Sequence, residues 1–499
     1  MSAAPFHPPT MKTASCALRL LLALAGFLFP SAHLQAEIEG LPAPGAPRNP
    51  QVIAPRERTL PNGLRIVVVE RPGLPLVSAS LLLRSGAEAD PSGSAGLASF
   101  TAALLTQGTE ARSATQIARE VEALGARIEA RAKWDASVIE LTTLSAHLAP
   151  AFGLLADIAR HPRFAPEEIE RLRRQSLDEL RVALEEPRTV ARAAASRVLL
   201  GRGLYAHSPG GTLASLQRLS RPEITTFHAT HYTPDQAQLI LAGNVTAADA
   251  FALVEKIFGS WTTPPATKAP QRPAYAPATT PRTVLIDMPK AGQATVYVAT
   301  PAVPRSADDY FAGLVANTIL GGGYTSWLNQ EIRVKRGLTY GARSTFEALR
   351  AGGTCIAGCQ TKNGSAAEVA LLLRAQLTRL GTTAAEPDFF AARQAVLTGD
   401  FASELETNQG YVARLVALTA GDRPIDEFAD FPARIRAVTP EAARDFAARH
   451  YPAEKVSIII AGRAAEIARP LRAAFPQLEV IPQSALDLDS PTLRRPGKR

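Results

Sequence analysis

The chain has 499 residues, of which 46% are apolar and 20% are charged. That length allows two or more domains with substantial cores, and the composition is typical of a globular protein rather than a disordered or fibrous one. The net charge of +8 is modest and dispersed along the sequence, which argues against a surface that binds nucleic acid.

The amino terminus has the pattern of a secretory signal. Lys12 and Arg19 precede an apolar run, and residues 31–36 end in small side chains, so we expect a signal peptide of residues 1–36. The alternative is a short amphiphilic membrane anchor. No later stretch is long and apolar enough to span a bilayer, so we expect no stable membrane insertion after signal removal. Residues 37–55 then form an N-terminal extension.

The cysteines give an indication of the compartment. Removal of the signal leaves 52 basic and 46 acidic residues, a net charge of +6, and only two cysteines, Cys355 and Cys359. Four residues apart on a strand, their side chains would lie roughly 13 Å apart at ~3.3 Å per residue, too far for a disulfide. We expect two buried thiols. Without a disulfide framework, the periplasm of a Gram-negative bacterium is favoured over a eukaryotic secreted compartment.

Residues 56–261 have the pattern of a first lobe. An Asn-Gly turn joins two strand-like stretches, and helical periodicity follows at 95–105 and 113–124. RIEARAKWDASVIELTTLS alternates like two antiparallel strands, and a long charged helix is predicted over 166–186. The lobe closes with QLILAGNVTAADAFALVEKIFGSW, which predicts a buried strand, a turn and a helix.

Residues 283–478 repeat this order of signals and are predicted to form a second lobe. A proline-rich stretch, residues 262–282, is typical of an extended linker between them. The helices predicted in the second lobe are 306–319, 325–336, 364–380 and a long helical stretch 386–418. The repetition indicates an internal duplication and an α+β fold. Residues 479–499 are predicted to be a flexible tail.

Two short segments resemble signatures of a known family. Residues 96–109 read GLASFTAALLTQGT, and residues 320–340 read LGGGYTSWLNQEIRVKRGLTY. Both resemble motifs of the M16 zinc peptidases, the pitrilysin or insulinase-like family, and the resemblance covers essentially residues 56–478. It implies two homologous lobes of the LuxS/metallohydrolase-like type, each with β-sheets and packed helices.

The resemblance also shows a loss. In the family the first segment carries H-x-x-E-H, but here Ser99 and Ala103 replace the two histidines and Ala102 replaces the glutamate. Glu179 corresponds to the family's third zinc ligand. A catalytic zinc needs about three protein ligands and an open position for water, and one carboxylate cannot hold it. We therefore expect no catalytic residue and no metal on this chain.

Three other places contain residue types that could support different chemistry. His228 and His231 have i, i+3 spacing, which can bind a metal but is more often accidental. Ser99 as a nucleophile would need a nearby histidine and an orienting acid, and no such local arrangement is recognisable. Gly321 to Gly323 lack the Lys-Ser/Thr pair of a phosphate-binding loop, so a tight bend is the better interpretation.

The second segment keeps the residues that hold substrate in the family. These are Arg336, whose guanidinium suits a carbonyl or carboxylate, and Tyr340, whose hydroxyl can donate to a carbonyl near the scissile bond. If residues 336–340 begin a strand after Gly337, both side chains project to one face. The alternative is an exposed arginine and an ordinary half-buried tyrosine.

These features lead to one main hypothesis and two alternatives. The main hypothesis is a non-catalytic, substrate-binding subunit of a periplasmic heterodimer, which acts on unfolded peptides with a zinc-bearing M16 homologue as partner. The first alternative is a free-standing peptide-binding or scaffold protein of M16 descent, without a proteolytic partner. The second is an independent enzyme with unfamiliar chemistry.

Overall fold

Two six-stranded β-sheets organise the part of the chain that the structure describes. This computed structural model describes residues 51–263 and 273–495, all of them within one compact unit, Asn49–Arg499. The predicted signal peptide, residues 1–36, lies outside the described residues. Parts of the predicted extension, linker and tail do so as well.

The first sheet is built from the amino-terminal half. Its strands are β1 (Arg56–Thr59), β2 (Arg65–Glu70), β3 (Leu76–Leu83), β4 (Arg127–Ala132), β5 (Ser137–Leu144) and β6 (Ala237–Gly243). Their order is β1-β2-β6-β3-β5-β4. β2 and β6 are parallel, and every other pair is antiparallel. All residues of the central strand β6 are buried, which suits an apolar strand covered on both faces.

The second sheet repeats this topology. Its strands are β7 (Thr283–Asp287), β8 (Ala294–Ala302), β9 (Arg343–Ala348), β10 (Gly353–Thr361), β11 (Ser457–Gly462) and β12 (Glu479–Pro482). Their order is β12-β7-β11-β8-β10-β9, with β7 parallel to both its neighbours and the rest antiparallel. Five strands of each sheet therefore match in order and direction. The predicted duplication and the α+β class are confirmed.

Helices connect the strands in both halves. The first half has α1 (Leu97–Leu104), α2 (Ala114–Ala123), α3 (Leu148–Arg160), α4 (Pro166–Ala183), α5 (Pro187–Leu200), α6 (Leu213–Arg218), α7 (Arg221–His231) and α8 (Ala247–Phe258). The second half has α9 (Tyr310–Gly321), α10 (Ala366–Thr382), α11 (Pro387–Glu404), α12 (Asn408–Ala420), α13 (Glu427–Ala437), α14 (Pro440–His450) and α15 (Ala464–Ala474). Capping boxes at Ser113, Thr212 and Ser220 fix the starts of α2, α6 and α7.

One helix of each half covers a face of the other half's sheet. α5 of the first half packs on β8 and β11, and α12 of the second half packs on β3 and β6. Around α5, Val190 and Ala194 share a buried cluster with Ile459 of β11. Around α12, Leu415 shares a buried cluster with Leu82 of β3. The two halves are therefore interlocked through their cores and do not merely face each other across a linker.

The prediction of a flexible tail from residue 479 is wrong for the described residues. β12 pairs with β7, and beyond it Leu493 is fully buried. Asp489 accepts a hydrogen bond from the Thr212 hydroxyl at 2.7 Å, and the Arg197 Nε donates to the Leu488 carbonyl at 3.0 Å. Backbone pairing and a buried leucine hold this segment, although its polar composition is typical of disorder. We call residues 483–495 the carboxyl-terminal strap.

Two other stretches depart from the predictions. The long helical stretch over 386–418 is two helices, because the Thr407 hydroxyl accepts from the Gly410 N–H and starts α12 anew. In the linker, residues 273–282 form no helix or strand. They nevertheless contact the second half, where the Tyr275 hydroxyl donates to the Gly353 carbonyl at 2.9 Å.

The cysteine prediction is confirmed. Cys355 and Cys359 are both buried and unpaired on β10, and burial raises the pKa of each thiol to about 11. Within the described ranges, no helix has both the length and the apolar character needed to cross a membrane.

Candidate functional site

The segment that resembles a zinc motif forms helix α1. Gly96 precedes it with a φ of +88°, a left-handed conformation that glycine adopts without strain. A Cβ at Gly96 would lie 2.7 Å from the Cα of Gly211, so the two backbones approach closely here. The Asp90 carboxylate accepts hydrogen bonds from the N–H groups of Gly96 and Ala98, at 2.7 and 2.8 Å. These contacts fix the start of α1.

The degenerate positions on α1 do not provide metal ligands. The Ser99 hydroxyl donates to the Pro209 carbonyl at 2.7 Å. Ala102 is buried and Ala103 is half-buried, and a methyl group can neither bind a metal nor accept a proton. The helix has kept its place in the fold and lost the side chains that the chemistry requires.

Glu179 does not restore the site. It lies on α4 with its side chain exposed, and it accepts a hydrogen bond from the Gln175 amide at 2.9 Å. Nowhere in residues 51–263 and 273–495 do three or more histidine, cysteine, aspartate or glutamate side chains form a group that could hold a metal. The residues present therefore do not fit a catalytic zinc, which needs three such ligands.

The histidines considered as an alternative metal pair are explained by packing. His228 donates from Nε2 to the Ala159 carbonyl at 2.9 Å, and burial lowers its pKa to about 4, so the ring is neutral at pH 7. It also stacks on Tyr232, with ring centroids 4.7 Å apart. His231 is 7% exposed and packs against Phe227. Both rings are therefore held by packing contacts, with His231 buried and His228 half-buried on α7.

The glycine run 321–323 forms the close packing predicted for a bend. A Cβ at Gly321 would lie 2.1 Å from the Ser344 nitrogen, and one at Gly322 would lie 2.6 Å from the Thr318 Cα. Only glycine fits these positions. The run ends α9 and leads into the segment that carries Arg336 and Tyr340.

Arg336 follows a π-helical turn, Asn329–Val334. Such turns are rare and are frequently found at functional sites. The guanidinium contacts Glu331 at 3.0 Å and lies 3.5 Å from Glu368, while the side chain remains 43% exposed. The two carboxylates orient the guanidinium without closing it off from a ligand.

Tyr340 is 90% exposed. Its loop is nevertheless anchored on both sides, because the Thr361 hydroxyl donates to the Leu338 carbonyl at 2.7 Å and the Ala342 N–H donates to the Asn329 side-chain oxygen at 3.3 Å. A held backbone thus presents a free aromatic ring and hydroxyl. This arrangement is typical of a side chain that contacts a ligand or partner.

The predicted strand over 336–340 does not form. β9 begins only at Arg343, and Gly337 turns the chain with a φ of +63°. The strand pleat therefore does not set the directions of Arg336 and Tyr340; the π-helical turn and the anchored loop do so instead. The alternative of a half-buried tyrosine is also wrong. Substrate binding by the two residues stays a prediction.

The sequence reasoning missed several residues in the same segment. Tyr324 is 62% exposed and Val334 is 51% exposed, and the Arg333 guanidinium lies 4.7 Å from the centroid of the Tyr324 ring. Asn329, which is buried, also bonds to the Tyr324 carbonyl at 2.6 Å. Aromatic and apolar residues so close to Arg336 in the sequence could have indicated a larger binding surface. We call residues 324–340 the tyrosine–arginine segment.

The tyrosine–arginine segment leads into a terminal strand. β9 ends the order of the second sheet and pairs within it only with β10. Arg343 and Thr345 are exposed and Ser344 between them is buried, the alternation of a strand with one solvent-facing side. A terminal strand offers unpaired N–H and C=O groups that an extended peptide can pair with.

Comparisons with known proteins agree with the fold and the motifs. Residues 65–205 match the family model described as "Insulinase (Peptidase family M16)". Residues 218–396 match the model described as "Peptidase M16 inactive domain". The second match runs from the end of the first half into α11 of the second, so together the two matches include five strands of the first sheet and four of the second.

Similar proteins are named as proteases. An uncharacterized zinc protease of Mycobacterium leprae is 28% identical over 360 residues, which is 72% of this chain and 80% of that protein. The mitochondrial-processing peptidase subunit beta of Blastocladiella emersonii is 25% identical over 266 residues, 52% of this chain and 56% of that protein.

Solved structures show the same fold. A peptidase M16 inactive domain from Pseudomonas fluorescens superposes with a TM-score of 0.75 at 26% identity and covers 82% of this chain and 98% of that one. A protease from Helicobacter pylori gives a TM-score of 0.76 at 19% identity over 82% of this chain and 100% of that chain, which compares the fold alone.

Proposed function

Because this chain belongs to the M16 peptidase family, we propose that it is the non-catalytic, substrate-binding subunit of a heterodimeric zinc peptidase in the periplasm of a Gram-negative bacterium. Its partner would be a second M16 chain with an intact H-x-x-E-H motif, and its substrates would be unfolded peptides. One observation carries the proposal: Tyr340 is 90% exposed on an anchored loop, while α1 has no metal ligand.

The chemistry of the two exposed side chains supports this role. A tyrosine hydroxyl can donate a hydrogen bond to a carbonyl oxygen as negative charge develops on it. A guanidinium binds a carbonyl or carboxylate through fixed N–H donors. Zinc held by the partner would supply the activated water. An open surface would gain from enclosure by a second subunit, since donors act more strongly where water is excluded.

The terminal strand β9 gives a way to hold a peptide without strong sequence preference. An extended chain that pairs with β9 would gain main-chain hydrogen bonds, which any sequence except proline can make. β9 starts three residues after Tyr340. A peptide added there would therefore pass beside the tyrosine–arginine segment.

Site-directed variants in the reconstituted complex test the role. We expect Arg336→Ala and Tyr340→Phe each to lower kcat/KM by on the order of 10²-fold, the typical cost of removing one donor to a developing oxyanion. The zinc content of the complex, measured by mass spectrometry, should not change. Arg174→Ala is the matched control, because Arg174 is an exposed arginine on α4 of the other half. Unaltered turnover in the double variant contradicts the role.

Purification from the native host separates this proposal from a free-standing protein. Co-elution of an M16 homologue with an intact zinc motif supports the heterodimer. A lone chain that binds unfolded peptides in a Tyr340-dependent manner supports the free-standing alternative instead.

A further inference from the structure

A cavity of about 940 Å³ lies between the two halves and has no lining residue in the tyrosine–arginine segment. The first half contributes one side of α5 and the turn between β4 and β5. The second half contributes parts of β8, β9 and α12. Its volume is within the range of small-molecule sites, about 300–1,000 Å³.

Two arginines and a tyrosine converge on one wall of the cavity. Arg188 and Arg192 are one turn apart on α5, so they lie on the same side of the helix. The Arg188 guanidinium donates to the Gln360 side chain at 2.6 Å, and that of Arg192 is 3.8 Å from Glu347. Both guanidiniums lie close enough to Tyr297 to oppose the rise in its pKa that burial causes.

The charge balance of the lining is positive. The lining contains four cations, those of Lys133, Arg188, Arg192 and Arg305, and the carboxyl groups of Asp135 and Glu347. Asp135 is engaged, since it accepts from the Tyr205 hydroxyl at 2.6 Å and from the Arg350 N–H at 2.7 Å.

The remaining charged groups do not alter this balance. Burial raises the pKa of Glu347 and lowers that of Lys133, so the two shifts have opposite effects on the charge of the lining. The Arg305 guanidinium, also in the lining, is paired with Glu427. His207 lies 3.3 Å from the buried Asp90. Even with both carboxyl groups charged, Arg188, Arg192 and Lys133 outnumber Asp135 and Glu347, so the lining carries a net positive charge.

The rest of the wall is suited to an apolar group. Trp134 lines the cavity with its ring set edge-on to those of Tyr205 and His207, at centroid distances of 5.3 and 5.2 Å. Small or apolar side chains, among them Ala193 and Val416, complete this side. A ligand that matches both parts carries one anionic end and one apolar body.

We propose that this cavity binds a carboxylate carried on an apolar body, with Arg188 and Arg192 contacting the carboxylate and the Tyr297 hydroxyl donating to it. Paired arginines are well suited to a carboxylate because their planar groups offer parallel N–H donors. Such a carboxylate is supplied either by a peptide carboxyl terminus or by a free carboxylic acid. Trp134 would pack against the apolar body.

Tryptophan fluorescence tests the proposal on the full chain. The probes are N-acetyl-leucyl-phenylalanine, the same dipeptide as its carboxyl-terminal amide, and 3-phenylpropionate. We expect the dipeptide acid to change the emission and the amide to bind at least about 10-fold more weakly, because charge-assisted hydrogen bonds to the carboxylate are lost. Trp134→Phe should remove the signal, since the other two tryptophans, Trp261 and Trp327, do not line the cavity.

Variants locate the binding site. Arg188→Ala and Arg192→Ala should each weaken binding of the dipeptide acid by about 10-fold, and Tyr297→Phe should weaken it less. Arg174→Ala is the control and should leave the Kd unchanged. Circular dichroism and thermal unfolding establish that each variant is folded.

The outcomes are distinct. Tighter binding of the dipeptide acid than of 3-phenylpropionate assigns the site to peptide carboxyl termini, and equal binding assigns it to free acids. Equal affinity for acid and amide in the unmodified chain overturns the proposal, and this comparison does not depend on any variant's stability. Unchanged affinity in the Arg188→Ala, Arg192→Ala double variant overturns it as well.

Discussion

Ser99, Ala102 and Ala103 show how a metal site can be lost while its helix is retained. All three residues are compatible with a helix, and the Gly96 conformation and the Asp90 contacts that start α1 do not depend on them. Ala102 faces the core, where a methyl group packs without an unsatisfied polar atom. The loss of chemistry therefore carries little cost in folding, which accounts for an intact fold around an empty motif.

His228 predicts a dependence of stability on pH. Its pKa falls from 6.5 to about 4 on folding, so the native packing favours the neutral ring over the protonated one. Its contribution is fully present above the unfolded pKa of about 6.5 and is lost as the pH falls toward 4. We expect the free energy of unfolding, measured by urea titration, to fall by up to about 3 kcal/mol more in the parent chain than in His228→Gln over that range.

The comparison between pH 7.5 and 9 is the control for this prediction. In that range the histidine is neutral in both folded and unfolded states, so the two chains should differ by a constant offset. An identical acid dependence in parent and variant would show that His228 is not buried in its neutral form.

The sequence motifs locate the candidate site but not its geometry. Arg336, Tyr340 and the degenerate positions were identified by their place in motifs, which requires no structure. The π-helical turn was not predicted, because an apolar pattern over 325–336 fits an α-helix equally well. Nor did the sequence predict the pairing of Arg336 with Glu368, which is distant in the chain.

The main feature of how the helices and strands pack is the exchange of α5 and α12 between the two halves. Each has a buried side, but that side packs on the sheet of the opposite half. Periodicity in the sequence predicts which side of a helix is buried and gives no indication of which sheet will cover it. The repeated signals predicted two similar halves but not their strand order, and the exchange depends on contacts between elements that are distant in the chain.

A core substitution in α12 tests the exchange. Leu415 is fully buried in a cluster with residues of the first sheet, so Leu415→Ala should lower the free energy of unfolding by about 2–5 kcal/mol. Hydrogen exchange should accelerate in β3 and β6 of the first half as well as in α12. Leu371→Ala, at a position 39% exposed on α10, should cost far less. A response confined to the second half would contradict the packing.

Neither half of the molecule can bury its own sheet without a helix of the other half. A fragment of residues 51–263 would keep the first sheet but lose α12, and so expose the apolar face of β3 and β6. We expect this fragment to aggregate or to bind a hydrophobic dye such as ANS, and to become soluble when co-expressed with residues 273–495. A cooperative unfolding transition of the isolated fragment, seen by calorimetry, would show that the halves are independent.

The carboxyl-terminal strap adds a second connection between the halves. It runs from β12 of the second sheet to Thr212 and Arg197 of the first half. Its polar residues gave no periodic signal, and a single buried leucine, Leu493, is too small a pattern to detect in a sequence. The prediction of a flexible tail was wrong because the composition of residues 479–499 gives no information about their contacts with distant residues such as Thr212 and Arg197.

The exchange of α5 and α12 between the two halves suggests how such a chain could arise. A half-length ancestor with one sheet and one such helix would have exposed an apolar face of its sheet as a monomer. In a dimer with two-fold symmetry, the helix of each copy would have covered the sheet of the other. Fusion of the two gene copies would then have required only a linker between subunits that already formed a dimer. Such an origin would place a former homodimer interface inside one polypeptide, where the two copies can diverge in sequence.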